Sequence, residues 1–252
     1  MRMRLVVAGA SGLIGSRVVR NLRRAGHDVA EVSRAHGIDI MDPGRLLEIA
    51  RGADVIIDVT NAGSFGSEDA LSFFRQAGRN LLSVAASVEV SNYVILSLTG
   101  TDRLIEAEYF RAKLVQENLA MASGLPITVI RATQFYELLH GIISTGQDKG
   151  IIMLPRTFIR PICAAEVAEL VAQAALGSSG RGVLEIAGPE VMTLGDVARE
   201  MLTFWEDPRP VVEDEQSTYF GVPISQTTLL PGNAAWLGKT RFHDWLIADR
   251  SQ

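Results

Sequence analysis

A tyrosine and a lysine placed one helical turn apart are the residues of this chain best suited to moving a proton. The segment AEYFRAKLVQE, residues 107–117, places Tyr109 four residues before Lys113. Residues at that spacing share one face of a helix, so both side chains can reach a single ligand. The lysine stands out because the chain contains 21 arginines and only 3 lysines. The pair indicates acid–base chemistry, or equally a helix surface on which Lys113 pairs with Glu117.

A glycine-rich loop near the N-terminus predicts a dinucleotide site. The segment VVAGASGLIGSRVV, residues 6–19, sets three glycines at three-residue intervals between a predicted strand and a predicted helix. The first glycine permits the tight turn, the second lets the backbone approach a pyrophosphate, and the third lets the helix pack closely on the strand. Unpaired N–H groups at the helix start bind the anion. The predicted phosphate-binding residues are Gly9, Ser11, Gly12, Leu13, Ile14 and Gly15.

The end of the second predicted strand determines the expected cofactor. It reads EVSR, which places Arg34 where an acidic residue would bind the ribose of NAD and an arginine would bind the 2′-phosphate of NADP. We therefore expect NADP(H) in preference to NAD(H), although Glu31 could bind the ribose if the strand ended earlier. Downstream, Asp39 could accept a hydrogen bond from the adenine amino group. Asp42 is instead suited to cap a helix that begins at Pro43.

Short apolar runs alternate with helical patterns along most of the chain. The predicted strands are residues 4–9, 28–33, 54–59, 93–98, 127–132 and 183–188, and the predicted helices are residues 13–25, 43–51, 67–88, 104–122, 134–147, 164–177 and 193–205. This alternation predicts an α/β, Rossmann-like, doubly wound parallel sheet with right-handed crossovers. We expect an NAD(P)-binding domain over residues 1–150 and a small C-terminal substrate lobe over 151–252, with the strand at 183–188 returning to the main sheet. The tail beyond residue 206 is expected to pack on the body of the protein.

Two further groups of residues follow predicted strands. The segment DVTNAG after the third strand places Thr60, Asn61 and Ala62 at the carboxyl edge of the sheet, where ligands bind in open parallel sheets. Residues at and after the end of the fifth strand are expected to border the substrate pocket, with packing as the alternative role for each of them. These residues are Arg131, Gln134 and Phe135.

Composition excludes several classes of protein. A net charge of −5 and a pI near 5.5 argue against a nucleic-acid-binding surface. A single cysteine, Cys163, and four scattered histidines predict no metal site. No apolar run reaches the 18 residues needed to span a membrane. We expect a cytoplasmic protein that acts on a small-molecule substrate, with a homodimer left open.

With these motifs, the chain resembles the short-chain dehydrogenase/reductase superfamily, most closely its atypical branch of NmrA-like NAD(P)H-binding oxidoreductases. The resemblance is carried by GASGLIG, DVTNAG, YVILSLTG, YFRAK, TVIRATQF, RPICAAEVAELV and LEIAGPEVMTL. It implies that a serine after the fourth strand polarises the substrate carbonyl and that a tyrosine about a dozen residues later donates the proton. A lysine four residues further on lowers the pKa of the tyrosine and holds the nicotinamide ribose. Ser97, Tyr109 and Lys113 occupy these three positions.

The resemblance implies an NADPH-dependent reductase of a small carbonyl or conjugated, quinone-like acceptor. Lowering the pKa of a phenol from about 10 to near 7 takes about 4 kcal/mol of preferential stabilisation of the phenolate. A lysine ammonium and an oxidised nicotinamide in a site that excludes water are a suitable source. The alternative is a non-catalytic NADP(H)-binding redox sensor that acts through a protein partner, since atypical members often keep the cofactor site without using the redox residues. A sugar-nucleotide substrate is less favoured because the C-terminal lobe is short.

Overall fold

The computed structural model describes residues 1–62, 69–148, 150–177 and 181–249. The strands are β1 (Arg4–Ala8), β2 (Asp28–Val32), β3 (Val55–Asp58), β4 (Asn92–Leu98), β5 (Ile127–Ala132), β6 (Gln147–Asp148), β7 (Ile151–Pro155), β8 (Phe158–Ile159), β9 (Gly182–Ala187), β10 (Met192–Thr193), β11 (Val211–Asp214) and β12 (Trp236–Leu237). The helices are α1 (Gly15–Arg24), α2 (Pro43–Ala50), α3 (Asp69–Ser87), α4 (Glu108–Met121), α5 (Leu139–Ser144), α6 (Ala164–Ala175), α7 (Leu194–Phe204) and α8 (Phe242–Asp249).

A seven-stranded sheet in the order β12-β9-β5-β4-β3-β1-β2 forms the centre of the fold. The pairs β1–β2, β1–β3, β3–β4 and β9–β12 are parallel. All four residues of β3 are buried, as expected for a parallel strand covered on both faces. The Rossmann-like α/β prediction is therefore confirmed, and the strand predicted at 183–188 lies in the main sheet as β9. The outermost strand on one side is β2.

Local chemistry explains where the helices near the site begin. The side chain of Asp42 accepts a hydrogen bond from the backbone N–H of Arg45 at 3.0 Å, and Pro43 is the first residue of α2. This confirms the capping role predicted for Asp42. Helix α4 begins at Glu108, so Tyr109 and Lys113 lie in its first two turns.

The predicted helix over residues 134–147 is wrong in its extent. A 3-10 turn, Tyr136–Leu138, and the short helix α5 occupy its first part, and the chain then enters β6. The cause lies partly at Gly146, where an added Cβ would overlap the carbonyl oxygen of Met153 in the neighbouring strand β7. The close approach of two strands requires glycine there, so the helix cannot continue.

Two compact units make up the chain. Unit 1 comprises residues Met1–Ser97, Glu108–Arg131 and Ala165–Leu184, and unit 2 comprises Leu98–Ala107, Ala132–Ala164 and Glu185–Gln252. The units interleave along the chain, whereas the sequence predicted a division at residue 150.

Each unit has its own buried interior. In unit 1, one cluster packs β1, β3 and β4 against α2 and α3, and Val6, Ile56 and Tyr93 are its central members. In unit 2, the C-terminal tail contributes β11, β12 and α8, and its residues Tyr219 and Leu229 are buried. Within the described ranges, no helix is long and apolar enough to cross a membrane.

Candidate functional site

The glycine loop brings three backbone segments of unit 1 into contact. Gly9 has a φ of +84°, and a Cβ added to it would lie 2.7 Å from the carbonyl oxygen of Val59, just after β3. A Cβ added to Gly15 would overlap the carbonyl oxygen of Gly9. Only glycine fits at either position without moving the backbone. The loop therefore joins the ends of β1 and β3 to the start of α1.

The same loop presents backbone donors at the start of a ten-residue helix. The N–H groups of Ser11, Leu13 and Ile14 have no hydrogen-bond acceptor in the part of the chain that the structure describes. At Gly12, an added Cβ would meet one atom within 4 Å, the carbonyl oxygen of Gly9 at 3.3 Å. Free N–H donors at a helix N-terminus, with no side chain over them, suit a phosphate. These residues fit the pyrophosphate of a dinucleotide.

The end of β2 carries charged side chains. Arg34 is exposed and opens a 3-10 turn in which the Ser33 hydroxyl hydrogen-bonds the ring of His36 at 2.7 Å. The carboxylate of Glu31 forms an ion pair with Arg23 at 2.6 Å and contacts Nε2 of His36 at 3.2 Å. Glu31 thus contacts two basic side chains, whereas Arg34 forms no ion pair among the described residues.

The adenine ligand predicted at Asp39 lies on the exposed segment that follows. Its carboxylate accepts a hydrogen bond from the backbone N–H of Met41 at 2.9 Å. Asn80 from α3 donates to the neighbouring carbonyl of Ile40 at 3.0 Å, which fixes this segment against the helix. The adenine-binding role of Asp39 stays a prediction.

Asp58 is a buried carboxylate that holds together the end of β3. It has no solvent exposure, and its Oδ1 accepts hydrogen bonds from the N–H and the hydroxyl of Thr60 at 3.1 and 2.6 Å. Its Oδ2 accepts from the Tyr93 hydroxyl at 3.0 Å and from the Gln116 amide at 2.8 Å. Burial, followed by the adjacent Asp58 charge, raises the pKa of Tyr93, so Tyr93 remains a protonated donor. Sequence reasoning missed Asp58, although a carboxylate that ends a continuous apolar strand was a usable signal.

Lys113 is buried, and its amine is held from three sides. Nζ donates hydrogen bonds to the carbonyl oxygen of Leu96 in β4 at 2.7 Å and to Oε1 of Gln116 at 2.5 Å. It also lies 4.6 Å from the centre of the Phe74 ring in α3, within range of a cation–π contact. Within the described part of the chain, two of its three N–H groups thus have acceptors.

The charges around Lys113 balance. Burial lowers the pKa of Lys113 to about 8, and the carboxylates of Asp58 and Glu117 act in the opposite direction. Glu117 is held by Arg131, with N–O distances of 2.7, 3.2 and 3.2 Å. Two anions and two cations therefore share this part of unit 1. Arg131, predicted to border the substrate pocket, has its guanidinium on Glu117, and its role toward a substrate stays a prediction.

Tyr109 is directed toward the segment after β3. Its hydroxyl donates a hydrogen bond to Oδ1 of Asn61 at 2.7 Å, and the same oxygen accepts the N–H of Ala62 at 2.8 Å. The ring makes edge-to-face contacts with Phe74 and Phe110. Burial raises the pKa of Tyr109. The described protein groups alone therefore do not produce the lowered pKa that the resemblance implies.

Ser97 lies near the end of β4 with 1% of its surface exposed. Its hydroxyl is buried and has no hydrogen-bond partner among the described residues. An unpaired buried hydroxyl costs about 1–3 kcal/mol, a cost that a ligand accepting its hydrogen bond would remove. Ser97, Tyr109 and Lys113 belong to the same compact unit as the glycine loop.

The other two predicted pocket residues belong to unit 2. The side chain of Gln134 is hydrogen-bonded to the hydroxyl of Tyr219, and its Oε1 is buried without a partner in the described residues. Phe135 is buried and pairs with Ile162 in an isolated β-bridge. Both remain predictions as substrate residues. The described residues contain no group of three or more His, Cys, Asp or Glu side chains that could hold a metal ion.

Comparison with known proteins finds one matching family model and structures of the same fold. Residues 5–102 match the model of the NAD dependent epimerase/dehydratase family. The enzyme WbmG of Bordetella bronchiseptica, solved in complex with NAD, is 15% identical and covers 100% of this chain and 94% of that chain, with a TM-score of 0.72. A dTDP-4-dehydrorhamnose reductase of Clostridium acetobutylicum is 16% identical and covers 99% of this chain and all of the other, with a TM-score of 0.74.

The sheet order and the structural neighbours define a Rossmann-like α/β fold. The segment that matches the NAD dependent epimerase/dehydratase family model, residues 5–102, is less than half of the chain. A curated relative, the photosystem II assembly factor Ycf39 of Cyanophora paradoxa, is 24% identical over 153 residues. That match covers 55% of this chain and 48% of the relative, about half its length. The NmrA-like branch stays a prediction.

Proposed function

We propose that this protein is an NADP(H)-dependent oxidoreductase that reduces a small carbonyl or conjugated, quinone-like acceptor by means of Ser97, Tyr109 and Lys113. The observation that carries the proposal is the buried hydroxyl of Ser97, which has no hydrogen-bond partner among the residues that the structure describes. It lies in the same compact unit as the glycine loop and the Tyr109–Lys113 pair. The enzymes among the structural neighbours support an oxidoreductase of the short-chain dehydrogenase/reductase superfamily.

The three residues have distinct roles in the proposed reaction. When bound, the reduced nicotinamide supplies the hydride that reaches the carbonyl carbon. Ser97 donates its free hydrogen bond to the carbonyl oxygen and polarises the bond. Tyr109 exchanges its hydrogen bond to Asn61 for one to that oxygen and then donates its phenolic proton, which yields the alcohol. Lys113 uses its third N–H to hold the cofactor's ribose, and its positive charge favours the phenolate left on Tyr109.

Two features at the end of β2 support NADP(H) as the cofactor. Arg34 is exposed there, and a guanidinium can bind a 2′-phosphate through charge-assisted hydrogen bonds. Glu31, the alternative ribose ligand, already pairs with Arg23 and His36. Several structural neighbours were solved with NAD, so both cofactors belong in every assay.

Oxidation of NADPH and NADH in the presence of aldehydes, ketones and quinones tests the activity. Sugar nucleotides with a keto group form a further arm of the panel, because one neighbour, MoeE5, was solved with UDP-glucose and NAD. Tyr109→Phe should lower turnover of an accepted substrate by about 100-fold or more while cofactor affinity stays within a factor of about three. Tyr136→Phe, which removes a hydroxyl bonded to the Thr240 carbonyl in unit 2, is the matched control. Unchanged turnover in Tyr109→Phe would exclude the acid role.

A second candidate is a non-catalytic NADP(H)-binding protein that acts through a protein partner. The match to Ycf39, an assembly factor, favours it. This candidate predicts distinct affinities for the oxidised and reduced cofactor, no turnover across the whole panel, and a partner whose capture depends on the cofactor. A cytoplasmic location and a homodimer stay predictions under both candidates.

A further inference from the structure

A chain of three buried side chains links the end of β3 to the amine of Lys113. Asp58 accepts a hydrogen bond from Nε2 of Gln116 at 2.8 Å, and Oε1 of Gln116 accepts one from Nζ of Lys113 at 2.5 Å. The three residues are 0%, 2% and 3% exposed. We propose that Gln116 is a positioning residue, anchored by Asp58, that fixes the direction in which the Lys113 amine presents its remaining N–H to the cofactor. This inference rests on the proposed function for the role of Lys113.

An amide is the side chain suited to this bridge. A carboxylate can only accept hydrogen bonds and an ammonium can only donate them, whereas an amide does one at each end. The charge of Asp58 attracts the Gln116 NH₂ group, and the charge of Lys113 attracts its oxygen. The reverse orientation would place NH₂ against the ammonium and the oxygen against the carboxylate. The two charges therefore determine the orientation of the amide.

Asp58 is a firm anchor because four donors converge on it. Besides Gln116, these come from Tyr93 and from two groups of Thr60. The next residue, Val59, donates its N–H to the Ala8 carbonyl at 3.0 Å and contacts the glycine loop. The position of the Lys113 amine is thus tied to the backbone that forms the predicted phosphate site.

Fixing two N–H directions of a tetrahedral ammonium also fixes the third. The Leu96 carbonyl and the Gln116 amide take two of them. Without Gln116, the Lys113 ammonium can turn about its Cε–Nζ bond, and the third N–H loses its fixed direction. Loss of direction weakens a hydrogen bond steeply, because its strength depends on the donor angle.

The test compares Gln116→Met, which keeps length but removes both polar ends, with Gln116→Glu, which keeps an acceptor for Lys113. The other charged and titratable groups around Lys113 are unchanged in all three proteins: Asp58, Tyr93, Tyr109, Glu117 and Arg131. Gln116→Glu adds one carboxylate in place of the amide that donates to Asp58. Gln116→Met should weaken NADPH binding about fivefold or more and move the basic limb of the pH–rate profile to lower pH. Gln116→Glu should move that limb to higher pH, because a carboxylate stabilises the ammonium more than an amide does.

The side-chain NMR signal of the Lys113 ammonium provides a readout that requires no turnover. The chain has only three lysines, so one substitution at each assigns the spectrum. In Gln116→Met the signal should broaden through faster proton exchange and titrate at lower pH than in the wild type. Gln173→Met, which breaks an exposed hydrogen bond to Glu169 on α6, is the matched control and should change neither readout.

The outcomes separate this inference from the proposed function. If a substrate is turned over but Gln116→Met, folded as judged by thermal melting, keeps the wild-type pH profile and Lys113 signal, the positioning role is wrong and the function stands. If no acceptor is reduced by the wild type, the function fails, and the Lys113 signal still decides the positioning role. If Gln116→Met does not fold, Gln116→Glu tests the positioning role instead. An unchanged pH–rate profile and an unchanged Lys113 titration in Gln116→Glu would overturn the inference.

Discussion

The hydroxyl of Tyr109 donates its 2.7 Å hydrogen bond to Asn61, while the hydroxyl of Ser97, its expected catalytic neighbour, has no partner in the described residues. Asp58 is the last residue of β3, and Asn61 lies three residues later. Asn61 accepts the hydrogen bond of Tyr109 directly, and Asp58 holds Lys113 through Gln116. The Tyr109–Lys113 pair on α4 is therefore positioned by the end of β3 and the residues after it, as well as by its own helix.

Substitution of Asn61 should change the acidity of Tyr109. In Asn61→Asp, a carboxylate replaces the amide oxygen as acceptor, which stabilises the protonated phenol and raises its pKa further. A rise of one unit corresponds to about 1.4 kcal/mol, so turnover at pH 7 should fall about tenfold. Asn118→Asp, the same change at an exposed site on α4, should have no effect. Equal turnover in Asn61→Asp and the wild type would show that the hydrogen bond is irrelevant to the reaction.

Substitutions of two loop glycines should have different effects, one on cofactor binding and the other on the stability of the fold. The Cβ of Gly12→Ala meets one carbonyl oxygen at 3.3 Å, so the fold should be retained while NADPH binding weakens by tenfold or more. The Cβ of Gly15→Ala overlaps the backbone of Gly9, and overpacking of this kind costs about 1–3 kcal/mol. Urea denaturation and NADPH fluorescence titration of both variants check this. Similar stability losses in the two variants would contradict the distinct roles.

Arg34 should discriminate between the two nicotinamide cofactors. A hydrogen bond to a charged group contributes about 1.5–3 kcal/mol, so Arg34→Ala should weaken NADPH binding by roughly 10- to 100-fold. NADH affinity should change less than about twofold, because NADH lacks the 2′-phosphate. Arg20→Ala, an exposed arginine on α1, serves as the control. An equal loss of both cofactors would assign Arg34 a role unrelated to the phosphate.

The buried amine of Lys113 should make stability depend on pH in a defined window. Its pKa is about 8 in the folded protein and about 10.4 in an unfolded chain. Between these values the unfolded chain binds one more proton, so the free energy of unfolding rises with pH by about 1.4 kcal/mol per unit. Relative to Lys113→Met, the wild type should gain about 2 kcal/mol from pH 8 to 9.5 and nothing from pH 6 to 7.

Denaturant unfolding of both proteins at these pH values measures that difference. The window ends at 9.5 because burial raises the pKa of Tyr93, Tyr109 and Tyr219. Above pH 10 the unfolded tyrosines lose protons that the folded ones keep, which lowers stability. If the difference in the free energy of unfolding between the wild type and Lys113→Met does not change from pH 7 to 9.5, Lys113 is not a buried, titrating amine.

The sequence was sufficient for the features that depend on local pattern. Continuous apolar runs located β1 to β5 and β9, and the Asp42–Pro43 pair located the start of α2. Two-residue strands such as β8 and β12 escaped prediction, because they span a single period of the alternating pattern and are defined by pairing with their partner strands. The first two residues of the helix predicted over residues 67–88 lie outside the described residues, and the rest corresponds to α3.

The candidate site likewise combines features that are local in the sequence with contacts that only the fold creates. The glycine loop and the Tyr109–Lys113 spacing are local and readable along the chain. The hydrogen bond from Gln116 to Asp58 joins residues that are 58 positions apart in the sequence, and the one from Tyr109 to Asn61 joins residues 48 positions apart. No periodicity reports which side chains a folded sheet brings together at such separations. Asp58 and Gln116 could therefore be identified only from the structure.

The place of β2 at the rim of the sheet has a practical meaning for engineering. Among the described strands none lies beyond it, and the residues that select the cofactor in our proposal, 31–36, lie at that rim. The hydrogen bonds that hold Lys113 start instead from β3, two strands further in. Coenzyme preference should thus be open to redesign by a short library over residues 31–36, with no compensating change at Asp58, Gln116 or Lys113.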